Sequence, residues 1–266
     1  MSEPVISLEK KTVVGMVHLP ALPGSPDYDQ EEGMNKILDA VLTDLEALQT
    51  GGVDAVMFGN EFDRPYVLKA PPEGLAAIAA VIGQVKSMIK VPFGVNYLWD
   101  PVATVALAVA TEADFAREIY TGLYASDMGL WAPDCAGAAR LRSSSGSSDL
   151  QMLFNINAEF ATSLDNRPLD IKAKSAVFSS KAAVICVSGM MTGMSVDQVE
   201  LRKVRESIPE TPLLANTGVT IDSVDEIFSV TDGCVIGSHL KHNGDTWDSV
   251  DPDRVRKFMD KVDDIR

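Results

Sequence analysis

Two stretches near the end of the chain decide the fold: Asn216-Thr217-Gly218-Val219-Thr220 and Asp232-Gly233-Cys234-Val235-Ile236-Gly237-Ser238. Each belongs to a short apolar run that is typical of a buried strand, and each ends in a turn of small residues. Two successive strands with such turns hold a phosphate group in a (β/α)8 barrel, because glycine lets backbone N–H groups approach an anion closely. We therefore predict a barrel that binds a small phosphorylated ligand.

Strand-like apolar runs alternate with helical stretches along almost the whole chain. The predicted strands are residues 12–17, 53–58, 92–97, 115–119, 150–156, 183–187, 212–215 and 233–236. The predicted helices are residues 34–49, 75–89, 101–110, 135–141, 171–180, 196–207, 221–228 and 252–262, and the Ser- and Gly-rich residues 143–148 are predicted to form a mobile loop. Eight strand–helix units predict an α/β fold, a single TIM barrel over residues 1–266. An open doubly wound sheet would require a G-x-G-x-x-G motif after the first strand, and the sequence has none there.

Composition limits the class of protein. The net charge of −15 disfavours binding to nucleic acid and to anionic membrane surfaces, so an anionic ligand must be held by a local pocket. No apolar run reaches the length of a membrane span and no leader pattern opens the chain, so we expect a cytoplasmic protein without membrane insertion. Cys135, Cys186 and Cys234 form no C-x-x-C pair, which disfavours a disulfide scaffold or a zinc site.

Function in such a barrel lies at the carboxyl ends of the strands, and reading those ends in order gives the candidate residues. The predicted catalytic residues are His18, Glu61, Asp63 and Arg117. The predicted substrate-binding residues are Asn60, Asn96, Asp100, Asp127, Asn155 and Glu159. The predicted phosphate-binding residues are Ser188, Gly189, Thr192, Gly193, Asn216, Gly218, Gly237 and Ser238.

Structural alternatives stand beside these roles. His18 could be a core histidine that is hydrogen-bonded to backbone, and Glu61, Asp63 and Arg64 could form a surface salt-bridge cluster. We expect no cofactor, although the oxygen ligands of Glu61, Asp63, Asp100 or Asp127 leave a magnesium ion as an alternative. No spacing in the sequence fixes a metal site. We also expect a homo-oligomer, with residues 120–131 as a candidate interface.

Several motifs together resemble the BtpA/SgcQ family. Residues 14–26 read VGMVHLPALPGSP, which is similar to the family's opening signature, and residues 60–66 read NEFDRPY, which is similar to its E-N-F-G-D-x-P-F motif. Further similarities in the expected order are GVNYL at 94–98, ADFAR at 113–117, SGMMTG at 188–193 and GSHLK at 237–241. The resemblance implies a fold like that of the ribulose-phosphate-binding barrels. It implies no settled reaction, because relatives are associated with photosystem I biogenesis or with sugar-uptake genes.

The fifth predicted strand departs from the family pattern. Where relatives tend to read A-D-V-x-V-K-H-A, this chain has Asn155 in place of the acid and Glu159-Phe160 in place of Lys-His. Glutamate cannot act as a Schiff-base nucleophile in the way that lysine can. The sequence thus leaves two hypotheses. The first is an enzyme of carbohydrate metabolism that hydrolyses or isomerises a phosphorylated sugar or nucleoside-like substrate. The second is a non-catalytic barrel for ligand binding or assembly.

Overall fold

Eight parallel strands close into a barrel in the computed structural model, which describes residues 3–189, 191 and 193–266. The barrel strands are β1 (Thr12–His18), β2 (Ala55–Gly59), β3 (Phe93–Asn96), β4 (Phe115–Glu118), β7 (Gln151–Asn155), β9 (Val184–Val187), β10 (Leu213–Ala215) and β11 (Gly233–Ile236). Their order around the barrel is β1-β11-β10-β9-β7-β4-β3-β2. The predicted fold class is confirmed, and each predicted strand boundary differs from the observed one by at most two residues.

Helices surround the barrel and cover the outer faces of its strands. They are α1 (Gly33–Gly51), α2 (Pro72–Val85), α3 (Pro101–Thr111), α4 (Cys135–Ser144), α5 (Leu169–Ser180), α6 (Gln198–Ser207), α7 (Val224–Phe228) and α8 (Pro252–Asp263). Because α4 continues to Ser144, the prediction that the loop begins at Ser143 was wrong by two residues. None of the helices in the described part of the chain has the length and apolar character needed to span a bilayer.

A small antiparallel sheet on the rim was not predicted. Its strands are β5 (Tyr124–Ser126), β6 (Gly129–Trp131) and β8 (Ala161–Ser163), paired in the order β6-β5-β8. It joins the loop that follows β4 to the loop that follows β7, so both loops are held over the same part of the barrel. Trp99 and Trp131 are buried in a separate apolar cluster beside this sheet. Strands of three residues are too short to show an alternating pattern in the sequence.

The barrel interior is filled by apolar side chains from most of its strands rather than left open. Met57, Phe115, Leu153 and Leu214 belong to this inner apolar cluster, and Ile6 joins it from the N-terminal segment. Gln151 exchanges two hydrogen bonds of 3.0 Å with the backbone of Ile6, which fixes that segment at the end of the barrel where the strands begin. Among the described residues, this packing closes the barrel interior and leaves room for a polar ligand at the opposite end, where the strands finish.

The close contact between Gly94 and Phe115 gives a test of this packing. A Cβ atom at Gly94 would lie 2.1 Å from the Phe115 ring, so Gly94→Ala should lower the free energy of unfolding by about 1–3 kcal/mol through overpacking. Gly83, within α2, has no atom within 4 Å of such a Cβ, and Gly83→Ala should stabilise the helix by about 0.5–1 kcal/mol. Urea denaturation measures both changes. Equal effects of the two substitutions would contradict the packing described for Phe115.

Candidate functional site

A cavity of about 620 Å³ opens where the barrel strands end. Residues that follow all eight barrel strands line it, which is the arrangement expected when parallel strands share one rim. Ten of the predicted site residues lie in its wall: His18, Glu61, Arg117, Asn155, Glu159, Gly193, Asn216, Gly218, Gly237 and Ser238. The structure thus brings together candidates that are more than 200 residues apart in sequence.

Two of the predicted residues, Asn60 and Asp63, lie behind the cavity wall and join three loops. Asn60 Oδ1 accepts a 2.8 Å hydrogen bond from the Leu98 N–H, and Asn60 Nδ2 donates to the Asp63 carboxylate at 3.3 Å. The same carboxylate accepts from the Leu22 N–H at 3.3 Å and from the Tyr97 hydroxyl at 3.4 Å. Neither side chain lines the cavity, and both hold together the loops after β1, β2 and β3.

Asp100 and Asp127 also lie away from the cavity lining. Asp100 caps α3 by accepting hydrogen bonds from the Val102 and Ala103 N–H groups, and its second oxygen accepts from the Ala70 N–H at 3.1 Å. Asp127 is exposed in the turn between β5 and β6. No three His, Cys, Asp or Glu side chains of the described residues are placed to hold a metal ion, so magnesium stays an untested prediction.

Buried polar groups from β3 and β4 form one side of the site. Arg117 donates to Asn96 Oδ1, and Asn96 Nδ2 donates to the Glu118 carboxylate at 2.9 Å. The second oxygen of Glu118 accepts from the Ile119 N–H. Asn96 does not line the cavity itself but holds Arg117 and Glu118, which do. Burial raises the pKa of the Glu118 carboxyl to about 8, although the Arg117 guanidinium and the two N–H donors oppose the shift.

A second network connects the ends of β7, β9 and β10. The buried Ser188 hydroxyl accepts a 2.8 Å hydrogen bond from Asn155 Nδ2 and another of 2.8 Å from Asn216 Nδ2. Ser188 and Gly189 stand behind the lining, where the Gly189 N–H donates to the Thr217 hydroxyl at 2.6 Å. Both asparagines therefore use a side-chain N–H group to bind Ser188 within the protein. The predicted residue Thr192 lies outside the described residues.

Glycine turns form the wall above β9, β10 and β11. Gly193 and Gly218 adopt left-handed backbone conformations, with φ of 82° and 64°, and a Cβ at Gly218 would lie 2.2 Å from the Met194 carbonyl carbon. Gly237 lies beside the His18 imidazole, because a Cβ there would be 3.0 Å from His18 Cε1. In the described part of the chain, the N–H groups of Gly218, Gly237 and Ser238 donate to no protein acceptor. Such N–H groups are suited to bind an anion.

Polar atoms without a protein partner concentrate at the cavity. Among the described residues, seven buried side-chain N or O atoms lack a hydrogen bond, and five of them belong to lining residues. These five are His18 Nδ1, Trp99 Nε1, Arg117 Nε, Asn155 Oδ1 and Asn216 Oδ1. A buried polar atom without a partner costs about 1–3 kcal/mol. In the described part of the chain, the cavity is therefore where most of the buried polar side-chain atoms without a partner remain available to a ligand.

The sequence analysis did not identify Lys241, although its positive charge lowers the pKa of His18 in the cavity wall. The Lys241 side chain is buried, its Nζ donates to the Thr246 carbonyl at 2.9 Å, and it lies 5.2 Å from the Phe62 ring centre. Burial lowers the pKa of Lys241 below its ordinary value. In the sequence Lys241 cannot be told from the other lysines, because the burial of its side chain depends on how the surrounding loops fold. Trp99 was missed as a site residue for the same reason.

Comparison with known proteins shows the family. The BtpA family model matches residues 9–264, and the chain belongs to that family. It is 48% identical over 257 residues to a putative sgc region protein SgcQ of Escherichia coli, covering 97% of this chain and 96% of the relative. It is 26% identical over 253 residues to a photosystem I biogenesis protein BtpA of a Synechocystis species, covering 94% of this chain and 87% of the relative.

Solved structures support the fold. A (S)-3-O-geranylgeranylglyceryl phosphate synthase from Thermoplasma acidophilum, in complex with substrate sn-glycerol-1-phosphate, superposes with a TM-score of 0.59 at 11% identity, covering 96% of this chain and 94% of that one. A phosphoribosyl anthranilate isomerase from Thermus thermophilus gives 0.54 at 11% identity, covering 96% and 100%. At these identities the likeness establishes a shared barrel architecture.

The titration of His18 can be tested directly. Burial lowers the pKa of the His18 imidazole well below its ordinary value, and the charges of Lys241 and Arg117 lower it further. The Cε1–H resonance of His18, assigned with a His18→Asn variant, should therefore keep its neutral position from pH 8 to pH 6. Since the unfolded chain takes up this proton below about pH 6.5, folding should lose stability as the pH falls through that value. A midpoint near 6.5 for His18 would contradict the burial described.

Proposed function

We propose that this member of the BtpA family is a cytoplasmic enzyme of carbohydrate metabolism that hydrolyses or isomerises a small phosphorylated sugar or nucleoside-like substrate. One observation carries the proposal: buried polar atoms without protein partners line the same cavity as the glycine turns. A site built only for stability would satisfy those atoms internally. A ligand with a phosphate and several hydroxyl groups supplies the missing partners.

The phosphate would be held by the turns after β9, β10 and β11. The N–H groups of Gly218, Gly237 and Ser238, which donate to no acceptor among the described residues, provide donors that need no cationic side chain. This matters because the chain as a whole carries a net charge of −15 and attracts no anion from a distance. Ser238 Oγ lies 2.6 Å from the Thr246 hydroxyl, so one of these two groups still has a donor or acceptor to offer the ligand.

His18 is the proposed general acid–base group. Its lowered pKa keeps the imidazole neutral near pH 7, so the side chain is ready to accept a proton. Its ring is close to Gly237, which places it next to the proposed phosphate position. Arg117 would stabilise negative charge that develops on the substrate, and Asn155 and Asn216 would accept hydrogen bonds from substrate hydroxyls. Of the two carboxylates expected to assist, Glu61 lines the cavity and Asp63 does not.

A non-catalytic barrel is the competing function, and the substitutions at Asn155, Glu159 and Phe160 are its support. Binding and catalysis require the same cavity, so ligand binding alone does not separate them. The separation comes from variants that change proton transfer but leave the phosphate wall intact.

The first experiment compares His18→Asn with His242→Asn. Products from a panel of sugar phosphates and nucleotides would be followed by 31P NMR and mass spectrometry. His18→Asn should lower kcat by about 10²–10⁴-fold, the usual contribution of a general acid–base group, and change ligand affinity little. His242 is exposed, pairs with Asp251 at 3.3 Å and does not line the cavity, so His242→Asn should keep full activity.

Two results would count against catalysis. If the unmodified protein binds ribose 5-phosphate but turns over no member of the panel, the chain is a ligand-binding barrel. If His18→Asn retains full turnover, the reaction does not use this imidazole.

A second experiment addresses the phosphate wall. Gly237→Ala would place a methyl group 3.0 Å from His18 Cε1 without requiring a left-handed backbone, so it should weaken binding of inorganic phosphate and ribose 5-phosphate by at least about tenfold. Calorimetric titration measures this, with Gly83→Ala as the matched control. Unchanged affinity would exclude the turn after β11 from the phosphate site.

We also propose that the protein forms a homo-oligomer. The exposed Leu123 and Leu130 on and beside the rim sheet support self-association. Light scattering after size-exclusion chromatography measures the mass, and a monomer at micromolar concentration would refute the proposal.

A further inference from the structure

The cavity has two unlike halves, and the order of strands around the barrel separates them. The glycine turns follow β9, β10 and β11, which are consecutive neighbours in the barrel. The loops after β2, β3, β4 and β7 are consecutive as well, and beside charged residues such as Glu61 and Glu159 they supply a group of apolar and aromatic side chains. This aromatic half consists of Tyr66, Leu98, Trp99, Ile119 and Phe160. The wall that suits a phosphate therefore faces a wall that suits a flat apolar group.

The rings of the aromatic half are held in place by other rings rather than by a ligand. Trp99 lies edge-to-face against Trp131, with centroids 5.3 Å apart and planes at 83°, and against Tyr66 at 6.1 Å and 69°. The Tyr66 hydroxyl donates to the Glu61 carbonyl at 2.9 Å, which fixes the ring at its other end. A preorganised aromatic wall loses little entropy when a planar ligand contacts it.

Phe160 reaches the cavity wall from an unfavourable backbone conformation. Its φ of 53° lies in the left-handed region, which is uncommon for a residue with a bulky side chain. Only glycine, asparagine and aspartate adopt this region readily. Such strain persists where the surrounding structure enforces it and is concentrated at ligand sites. Here it places a phenyl ring in the wall of the cavity.

Trp99 adds a polar requirement to this apolar half. Its Nε1–H is buried and has no acceptor in the described part of the chain. A ring nitrogen or carbonyl oxygen of a heteroaromatic ligand would accept this hydrogen bond. A bare sugar phosphate has no ring to contact these aromatic side chains. Its hydroxyls would instead donate to the amide oxygens of Asn155 and Asn216, which accept no hydrogen bond from the described residues.

We propose that the substrate carries a planar heteroaromatic ring on its phosphorylated sugar, with the ring against the aromatic half and the phosphate at the glycine turns. This chemistry is that of a nucleoside monophosphate. The inference rests on the proposed function and names its substrate class. His18 on β1 and Asn155 on β7 stand on the two strands where the halves meet, so the sugar and its bond to the ring would lie beside them.

Calorimetric titration of the full chain tests the proposal with defined probes. These are inorganic phosphate, ribose 5-phosphate, and the 5′-monophosphates of adenosine, guanosine, cytidine and uridine. At least one nucleotide should bind about tenfold more tightly than ribose 5-phosphate, the gain expected when a base stacks on aromatic side chains.

Phe160→Asn isolates the contribution of the ring. Asparagine tolerates the left-handed backbone, so the substitution keeps the loop conformation while removing the phenyl group. The preference for the nucleotide should fall to about threefold or less, with the affinity for ribose 5-phosphate unchanged. Lys181→Asn is the matched control, because Lys181 has a φ of 58° at the exposed end of α5 and does not line the cavity. Trp99→Phe, which removes only the Nε1–H donor and part of the ring, should also reduce the preference.

The outcomes separate this inference from the proposed function. If ribose 5-phosphate binds as tightly as all four nucleotides, the aromatic half contributes nothing and the inference fails, while the phosphosugar function stands. If the nucleotide preference survives in both Phe160→Asn and Trp99→Phe, the ring is bound elsewhere and the inference also fails. If phosphate, ribose 5-phosphate and the nucleotides all fail to bind, both proposals are refuted.

Discussion

Closure of the parallel barrel is the constraint on which the rest of the structure depends. The first strand pairs on one side with β2, through Gly15↔Val56 and its neighbours, and on the other side with β11, through Val14↔Val235 and its neighbours. With both edges paired, no barrel strand has a free edge, and all eight carboxyl ends meet at one rim. The inner apolar cluster fills the barrel below that rim, so polar groups at the strand ends have the cavity as their only common space. The position of the cavity therefore follows from the closure of the barrel.

Burial at this rim decides the protonation of the groups that the fold brings together. The same desolvation that lowers the pKa of His18 raises the pKa of Glu118 to about 8, because both effects penalise the charged form. The positive charge of Arg117 acts on both groups, because it disfavours protonated His18 and favours ionised Glu118. Ligand binding would exclude further water and strengthen these interactions. A pair of groups with oppositely shifted pKa values is the usual arrangement for proton transfer near neutral pH.

The sequence predicted the barrel well because its strands carry a local signal. Parallel strands that are buried on both faces appear as continuous apolar runs, and β1 and β11 were found within one residue of their observed limits. The roles of the site residues were predicted less accurately than the strands. The strand-end rule found His18, Arg117 and Asn155, but it could not tell that Asp63 and Asp100 are used to hold loops, since that depends on distant N–H groups of Leu22 and Ala70. Trp99 and the small rim sheet were missed because three-residue strands and buried rings have no periodic pattern.

The residues that depart from the family motif after the fifth barrel strand lie in the cavity wall. The resemblance described in the sequence analysis implies a lysine and a histidine where this chain has Glu159 and Phe160, and the structure places both of these residues in the cavity wall. Replacement of two cationic or titratable groups by one carboxylate and one phenyl ring removes positive charge from the half of the site that faces the glycine turns. The glycine turns, by contrast, offer backbone N–H groups that side-chain substitution leaves in place. Under the proposed function, the phosphate wall would persist while the opposite half changes its ligand group, and this chain's divergence would concern the non-phosphate part of the substrate.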